Sequence, residues 1–285
     1  MRILVTGSQG FTGKHFVQMS LKHGYEIFNL KSDLRDHQGV AHEVKLYQPT
    51  HVVHLAAISA VTHENSMELF DVNVLGVMNL LDQLRLINNL QRVLITSSAN
   101  IYGNINSSPV PELAISSPQN LYSYSKFAME FLVKSYVPQL PCFIVRPFNY
   151  TGTGHDERFV VPKIVNAFKS RLATLELGNI DVEREFNDVR MVCDAYFKLI
   201  QHAEIGEVYN ICSGKAISIK QIIQEMIRIS GHNIQIKSNP KLIRTNEIFS
   251  LYGDNSKLVR TIGAIKEFSI TQTLETMYFE KENCN

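Results

Sequence analysis

Tyr122 and Lys126 stand four residues apart in the run Leu121-Tyr122-Ser123-Tyr124-Ser125-Lys126. On a helix that spacing puts both side chains on one face, a turn from each other. A phenol titrates near about 10, too high for ready proton exchange at neutral pH. A neighbouring ammonium favours the phenolate and lowers that value, which would make Tyr122 a usable acid or base. The same spacing also occurs on ordinary exposed helix faces. The pair therefore takes its meaning from the elements around it.

Those elements alternate. Short β-branched runs at Ile3–Thr6, Glu26–Leu30, His51–Leu55, Arg92–Ser97 and Cys142–Arg146 predict strands. Helical patterns at roughly 12–23, 38–47, 66–89 and 120–136 lie between them. Nearly continuous apolar strands separated by helices predict an α/β fold, a doubly wound parallel sheet covered on both faces. After Arg146-Pro147 the pattern loosens, with Gly, Pro, Asn and Thr clustered in 147–162. A helix near 160–171, a strand at Glu207–Ile211 and a helix at 218–230 follow. This predicts a Rossmann domain from 1–150 with about 180–215, and a small mixed α/β domain from about 151–179 with 216–285. Substrate is expected in the cleft between them.

Gly7-Ser8-Gln9-Gly10-Phe11-Thr12-Gly13 follows the first strand directly and opens the first helix. Gly7 permits the tight turn, Gly10 lets a pyrophosphate approach the backbone, and Gly13 lets helix and strand pack closely. The helix N-terminus supplies N–H groups and a positive dipole end for phosphates. A dinucleotide-binding turn is the reading; a purely structural turn is the alternative.

Composition narrows the partners. Twenty-eight basic against 27 acidic residues leave a formal charge of +1, so no global field draws in nucleic acid or an anionic membrane. The cysteines Cys142, Cys193, Cys212 and Cys284 are scattered, without Cys-x-x-Cys or His spacing for zinc. Free thiols in a reducing cytoplasm are expected, and no metal site. Neither a signal-peptide stretch nor a membrane span is visible, so a soluble cytoplasmic protein is expected.

The G-x-x-G-x-x-G turn together with Tyr-x-x-x-Lys resembles the extended branch of the short-chain dehydrogenase/reductase superfamily, the NAD-dependent epimerase/dehydratase family. His54-Leu55-Ala56-Ala57, Asn73 in Asn73-Val74-x-Gly76, Ser97-Ser98-Ala99-Asn100-Ile101-Tyr102-Gly103 and Arg146-Pro147-Phe148-Asn149-Tyr150-Thr151-Gly152 follow in that family's order. The resemblance covers essentially the whole chain. It implies a catalytic triad of Ser98, Tyr122 and Lys126. Ser98 would hydrogen-bond a ketone or alcohol, Tyr122 would exchange the proton, and Lys126 would lower the phenol's pKa and hold the nicotinamide ribose. Gly7, Gly10, Phe11, Gly13, Leu55, Ala56, Ala57 and Asn73 are the implied cofactor contacts. Ser97, one residue from Ser98, is expected to point into the sheet. Neither Tyr102 nor Tyr124 has a lysine four residues on. The family's 4,6-dehydratases carry an acidic pair just after the active-site hydroxyl, where Ala99 and Asn100 stand here, so dehydration is not expected.

NAD-binding members place an acid at the end of the second strand for the ribose 2′-hydroxyl. This chain reads Phe28-Asn29-Leu30-Lys31-Ser32 there. Lys31 and Ser32 could receive a 2′-phosphate, with Asp33-Leu34 flanking the adenine, so NADP(H) is expected over NAD(H); a solvated loop lysine is the alternative for Lys31. Arg184-Glu185-Phe186-Asn187-Asp188-Val189-Arg190 resembles the R-[DE]-[FY]-x-x-V segment of nucleotide-sugar enzymes. Arg244 with Glu247 resembles their R-P-x-[DE] segment, with Thr245 replacing the proline. Two arginines suit a nucleotide diphosphate through bidentate forks, although each could serve in a surface ion pair. Asn149 would help place the sugar. With Glu207–Gly214, these runs look most like the reductases of GDP-4-keto-6-deoxymannose within the family. The expected reaction is NAD(P)H-dependent reduction of the 4-keto group of a nucleotide-linked 4-keto-6-deoxy sugar, with Tyr122 as proton donor. The alternatives are a 4-epimerase with bound NAD and, from another class, a non-catalytic dinucleotide-binding regulatory protein. Apolar positions on more than one face of 66–89 and 120–136 predict a homodimer through those helices.

Overall fold

Six parallel strands make the central sheet of the computed structural model, which describes all residues except 60–64, 106, 243–247 and 281–285. They are β1 (Arg2–Thr6), β2 (Glu26–Asn29), β3 (His51–His54), β4 (Arg92–Thr96), β5 (Cys142–Pro147) and a sixth strand, Val208–Ile211. Across the sheet the order is Val208–Ile211, β5, β4, β3, β1, β2, and every pairing is parallel. The chain runs from β1 out to β2 and then returns past β1 to β3. The carboxyl ends of β1 and β3 therefore flank the reversal, where a doubly wound sheet leaves a crevice.

Parallel strands are roofed on both faces, and these residues read accordingly: β3 and β5 are buried along their whole lengths. Alternation sends Ile3 and Val5 to one face and Leu4 to the other. α1 (Phe11–Lys22) joins Phe16 to the first face, and α2 (His37–Tyr47) joins Val40 and Val44 to the second. The predicted helix at 66–89 is three pieces: α3 (Ser66–Phe70), a π-helical turn Asp71–Leu75, and α4 (Gly76–Leu84). The wide turn is centred on buried Asn73, which reaches out of the helix to Ile58 and Ser125. α5 (Leu121–Tyr136) completes the second face with Met129 and Val133.

The C-terminal region builds its own core. α6 (Val160–Lys169), α7 (Val189–His202), α8 (Ile219–Ser230), α9 (Ser256–Ile262) and α10 (Ile270–Phe279) follow β5. α7 returns to the sheet's first face with Val192, Tyr196 and Leu199. Ile164, Phe168, Ile222, Met226 and Leu274 instead pack together, with Leu175 of the short strand Thr174–Leu177 among them. α8 starts where Ser218 and Gln221 cap each other's backbone N–H groups and stops at Gly231 in the left-handed region. Leu258 of α9 belongs to the sheet's first-face core. Cys142, Cys193 and Cys212 are free and buried; Cys284 lies outside the described residues. Among the described residues, no helix is long and apolar enough to cross a membrane, and no His, Cys, Asp and Glu cluster could hold a metal ion.

One ion pair ties these layers beneath the cleft. Arg146 of β5 donates to both oxygens of Glu130 on α5, at 2.9 and 2.6 Å. It also donates to the Tyr102 hydroxyl and the Glu112 carbonyl, each at 2.9 Å. Tyr102 passes its own proton to Asn210 of the sixth strand at 2.7 Å. Removing one partner of such a pair strands a buried charge, whereas replacing both is mild. Arg146→Met is expected to lower the unfolding free energy by about 3–5 kcal/mol in urea titrations, and R146M/E130L to recover most of it.

Candidate active site

β4 ends at Thr96, and the next two residues deliver the hydroxyls. Ser98 has an extended backbone, and its Oγ accepts from the Asn100 N–H at 3.2 Å to open the 3-10 turn Ala99–Tyr102. α5 begins at Asn120, whose side chain accepts from the Ser123 N–H at 2.9 Å while the Ser123 hydroxyl accepts from the Asn120 N–H at 3.1 Å. This cap places Tyr122 in the first turn and Lys126 one turn on. Both side chains face the sheet: Tyr122 is 8% exposed and Lys126 is 2% exposed. The exposed-face alternative for this pair is thereby excluded; Tyr124, 50% exposed, takes that face. The Ser98 hydroxyl lies near enough to the Tyr122 phenol to favour its ionised form, and Lys126 Nζ donates to the Thr96 carbonyl at 2.8 Å. Ser98, Tyr122 and Lys126 thus meet at one strand end, and Ser97 is buried beside them.

Their electrostatics differ from the expectation in one respect. Burial pushes the Tyr122 phenol above its ordinary range, against the opposing pull of the nearby Ser98 hydroxyl. The expected lowering by Lys126 is absent, because the ammonium is turned to the Thr96 carbonyl and desolvation dominates. Burial also draws Lys126 down to about 8, opposed by the Glu130 carboxylate one turn further along α5. His54, at the end of β3, is fully buried and bonds Thr6 Oγ1 through Nδ1 at 2.9 Å. Burial and the Lys126 charge push it down to about 3, so it is neutral at physiological pH.

The glycine turn lies against the loop after β3. Gly7 has φ of 67°, and a Cβ there would come within 2.6 Å of the Ala56 nitrogen. A Cβ on Gly13 would collide with the Gly7 carbonyl. Gly10 caps α1 without a side-chain bond, which leaves the first amides of the helix for a ligand. The Leu55 N–H donates to the Thr6 carbonyl and the Ala56 N–H to Thr6 Oγ1, so the Leu55–Ala57 segment runs beside the turn. The Phe11 ring stacks on His155 with centroids 4.4 Å apart, joining the turn to the segment after β5. Free helix amides, a backbone cradle without room for side chains and a buried lysine together fit a dinucleotide. Asn73 points elsewhere: it exchanges bonds with the Ile58 backbone and donates to Ser125 Oγ at 3.0 Å, holding α5 in place.

The residues after β2 make contacts of their own. Lys31 is exposed, but the Ser32 hydroxyl and amide are both committed to Glu43. Asp33 is paired with Arg35 at 2.6 Å, and that guanidinium holds its carboxyl at about 2. Leu34 is buried, and its carbonyl accepts from Asn79 at 2.7 Å.

On the other side of the cleft, Asn149 is exposed, and its carbonyl accepts from the Asn187 N–H at 2.9 Å. The Arg184 guanidinium donates to the Glu183 carbonyl at 2.7 Å and the Phe249 carbonyl at 3.3 Å. Buried Glu185 accepts from the amides of Ser213, Gly214 and Gly253 and from Asn187 Nδ2. Arg190 is paired with Asp188 at 2.7 Å. Arg244 and Glu247 lie outside the described residues. Sequence reasoning missed Glu130 and Glu43, and it quoted Glu185 only as the acidic position of the Arg184 motif. Glu130 was findable as the third member of a Tyr122, Lys126, Glu130 ladder at four-residue spacing; the other two are set by long-range contacts.

A family model for GDP-mannose 4,6 dehydratase matches residues 27–277. The chain belongs to that family. It is 37% identical over 98% of its length to GDP-6-deoxy-D-talose 4-dehydrogenase from Aggregatibacter actinomycetemcomitans, 97% of which is covered. It is 31% identical over 99% of its length to GDP-6-deoxy-D-mannose reductase from Pseudomonas aeruginosa, again with 97% covered. Among solved structures, RMD from P. aeruginosa complexed with NADPH superposes with a TM-score of 0.90 at 28% identity, covering 98% of each chain. The Thermus thermophilus UDP-glucose 4-epimerase complex with NAD shares the fold, with a TM-score of 0.85 at 24% identity over 98% of each chain. The chain is accordingly an NAD(P)-dependent oxidoreductase of the extended short-chain dehydrogenase/reductase type, with a nucleotide-sugar reductase or epimerase function.

The glycine geometry makes a direct test. Gly13→Ala forces α1 away from the Gly7 carbonyl and is expected to cost about 1–3 kcal/mol, read as a lowered thermal midpoint. An unchanged midpoint would mean that the turn relaxes freely.

Proposed function

We propose that this enzyme reduces the 4-keto group of a GDP-linked 4-keto-6-deoxyhexose, with Tyr122 as the proton donor. The observation that carries the reading is the buried Ser98–Tyr122–Lys126 cluster at the end of β4. Ser98 polarises the ketone, and the phenol, held protonated by burial, delivers its proton to the oxygen as the alcohol forms. A bound reduced nicotinamide supplies the hydride. Lys126 stabilises the phenolate that remains and holds the ribose of the cofactor. Gly7, Gly10, Phe11 and Gly13 receive the pyrophosphate, with Leu55, Ala56 and Ala57 beside it and Asp33 and Leu34 at the adenine. Asn149 and Arg184 place the nucleotide sugar, joined by Arg244 and Glu247 on the sequence reading alone.

The names of the two relatives support this substrate. Both are GDP-6-deoxyhexose enzymes, and talose and mannose differ in configuration at C4, the carbon that a 4-ketoreductase sets. Dehydration would need acid–base groups beyond C4, and Ala99 and Asn100 after Ser98 supply no carboxylate. The cofactor half in this reading is 1–150 with about 180–215, and the sugar half is about 151–179 with 216–285, of which Leu258 serves the first.

NAD(P)H oxidation against a panel of nucleotide-linked 4-keto-6-deoxy sugars is expected to show net cofactor consumption; a 4-epimerase would show none. Tyr122→Phe is expected to lower kcat by roughly 10²–10⁴. The kcat/KM profile is expected to stay level near neutrality and fall as pH rises through about 8, where free-enzyme Lys126 loses its charge. A Tyr122→Phe enzyme near the wild-type rate would remove the proposed acid.

We also propose a homodimer through α3, α4 and α5. Met67 of α3, Leu75 of the intervening π turn and Phe131 of α5 are 71%, 51% and 61% exposed, an apolar excess that a second copy would cover. Light scattering is expected to give twice the 32.4 kDa chain mass, and M67E/F131E to give the monomer. A monomeric wild type would end this proposal.

A further inference from the structure

β2 ends without an acid in its sequence, yet a carboxylate stands there. Glu43 of α2 reaches back to the strand end. Its carboxylate accepts from the Lys31 N–H at 3.0 Å, the Ser32 N–H at 2.7 Å and the Ser32 hydroxyl at 2.5 Å. The nearby Tyr47 phenol also favours the ionised carboxylate. Glu43 is 9% exposed.

We propose that Glu43 selects the cofactor, favouring NAD(H) over NADP(H) by placing its carboxylate where the adenosine ribose is read. The inference rests on the dinucleotide reading proposed above and deepens it. The position carries it first. Lys31 and Ser32 stand just beyond Leu30, which follows β2, and β2 pairs with β1 through Asn29 and Val5, just before the Gly7 turn. In doubly wound dinucleotide enzymes the acid for the ribose 2′-hydroxyl comes from this strand end. Here the acid comes from the helix 12 residues after Lys31.

Donors come second. A 2′-phosphate needs N–H and O–H groups, and the three at this corner are already taken by Glu43. Charge is the third argument. Burial pushes the Glu43 carboxyl up, but the Ser32 hydroxyl and the two amides outweigh it and hold it below its usual value, so it is anionic at neutral pH. A phosphate dianion at this corner would face that fixed charge. The cations available against it are few: Lys31 is solvent-exposed and so screened, and Arg35 is engaged by Asp33. On this proposal the NADP(H) expectation drawn from Lys31 and Ser32 gives way to NAD(H).

Calorimetric titration of the wild type, Glu43→Gln and Glu43→Asp with NADH and NADPH tests this without relying on turnover. The wild type is expected to bind NADH at least about tenfold more tightly than NADPH. E43Q is expected to move that ratio toward NADPH by about tenfold, while E43D, which keeps the charge but shortens the reach, stays within about threefold of wild type. Thermal melts of both variants establish that they are folded. Wild-type protein binding NADPH as tightly as NADH would overturn the proposal. So would equal shifts in E43Q and E43D, which would make Glu43 a mere brace for the loop. Wild type that binds neither dinucleotide would instead overturn the dinucleotide reading, and selection with it.

Discussion

A lysine side chain with almost no access to water is the constraint around which this molecule is organised. Lys126 can keep its charge there only because the Thr96 carbonyl accepts from its ammonium and because Glu130 lies one turn along the same helix. Glu130 is in turn bound by Arg146 across the second face of the sheet. A chain of charge compensation therefore runs from the strand end into the core. It makes the register of α5 against β4 and β5 a matter of several kcal/mol rather than of packing preference. That register decides where the Tyr122 phenol points.

The same burial sets the resting chemistry of the cleft. A desolvated phenol is held protonated, a desolvated ammonium is brought within reach of neutral pH, and His54 beneath them is kept neutral. These are the protonation states that a proton donor with an electrostatic partner requires. Tight backbone contacts at Gly7 and Gly13 hold the helix amides of α1 at the neighbouring strand ends. The Ser98–Tyr122–Lys126 cluster and the glycine turn thus sit on one sheet, and such fixed placement is what the proposed proton transfer would draw on. On the opposite wall, Glu185 gathers three backbone amides from two separate loops beside Arg184.

Much of this was legible in the amino-acid order. Apart from the 66–89 helix, which ends at Leu84, the strand and helix runs of the first half fall within a residue or two of their places, because buried parallel strands are marked by unbroken apolar runs. The 66–89 helix was read too simply: its π turn exists because Asn73 bonds across space to Ile58 and Ser125, partners 15 and 52 residues away. The grouping of Ser98, Tyr122 and Lys126 was also legible, since strand-end and helix-turn positions follow from local periodicity. Their burial was not. An i, i+4 pair looks the same on a solvated face as on a buried one until the helix is rotated against its sheet.

The sequence by itself determined the doubly wound fold, the glycine turn and the grouping of Ser98, Tyr122 and Lys126, because each is written in spacings of a few residues. Tertiary structure alone decided the charges. The phenol is raised, not lowered, because burial outweighs a nearby cation that has a better partner. The corner after β2 carries a carboxylate because α2 returns Glu43 to it. Both outcomes arise from groups distant in sequence brought into contact in a poorly solvated place, where electrostatics depend on the company and not on the residue.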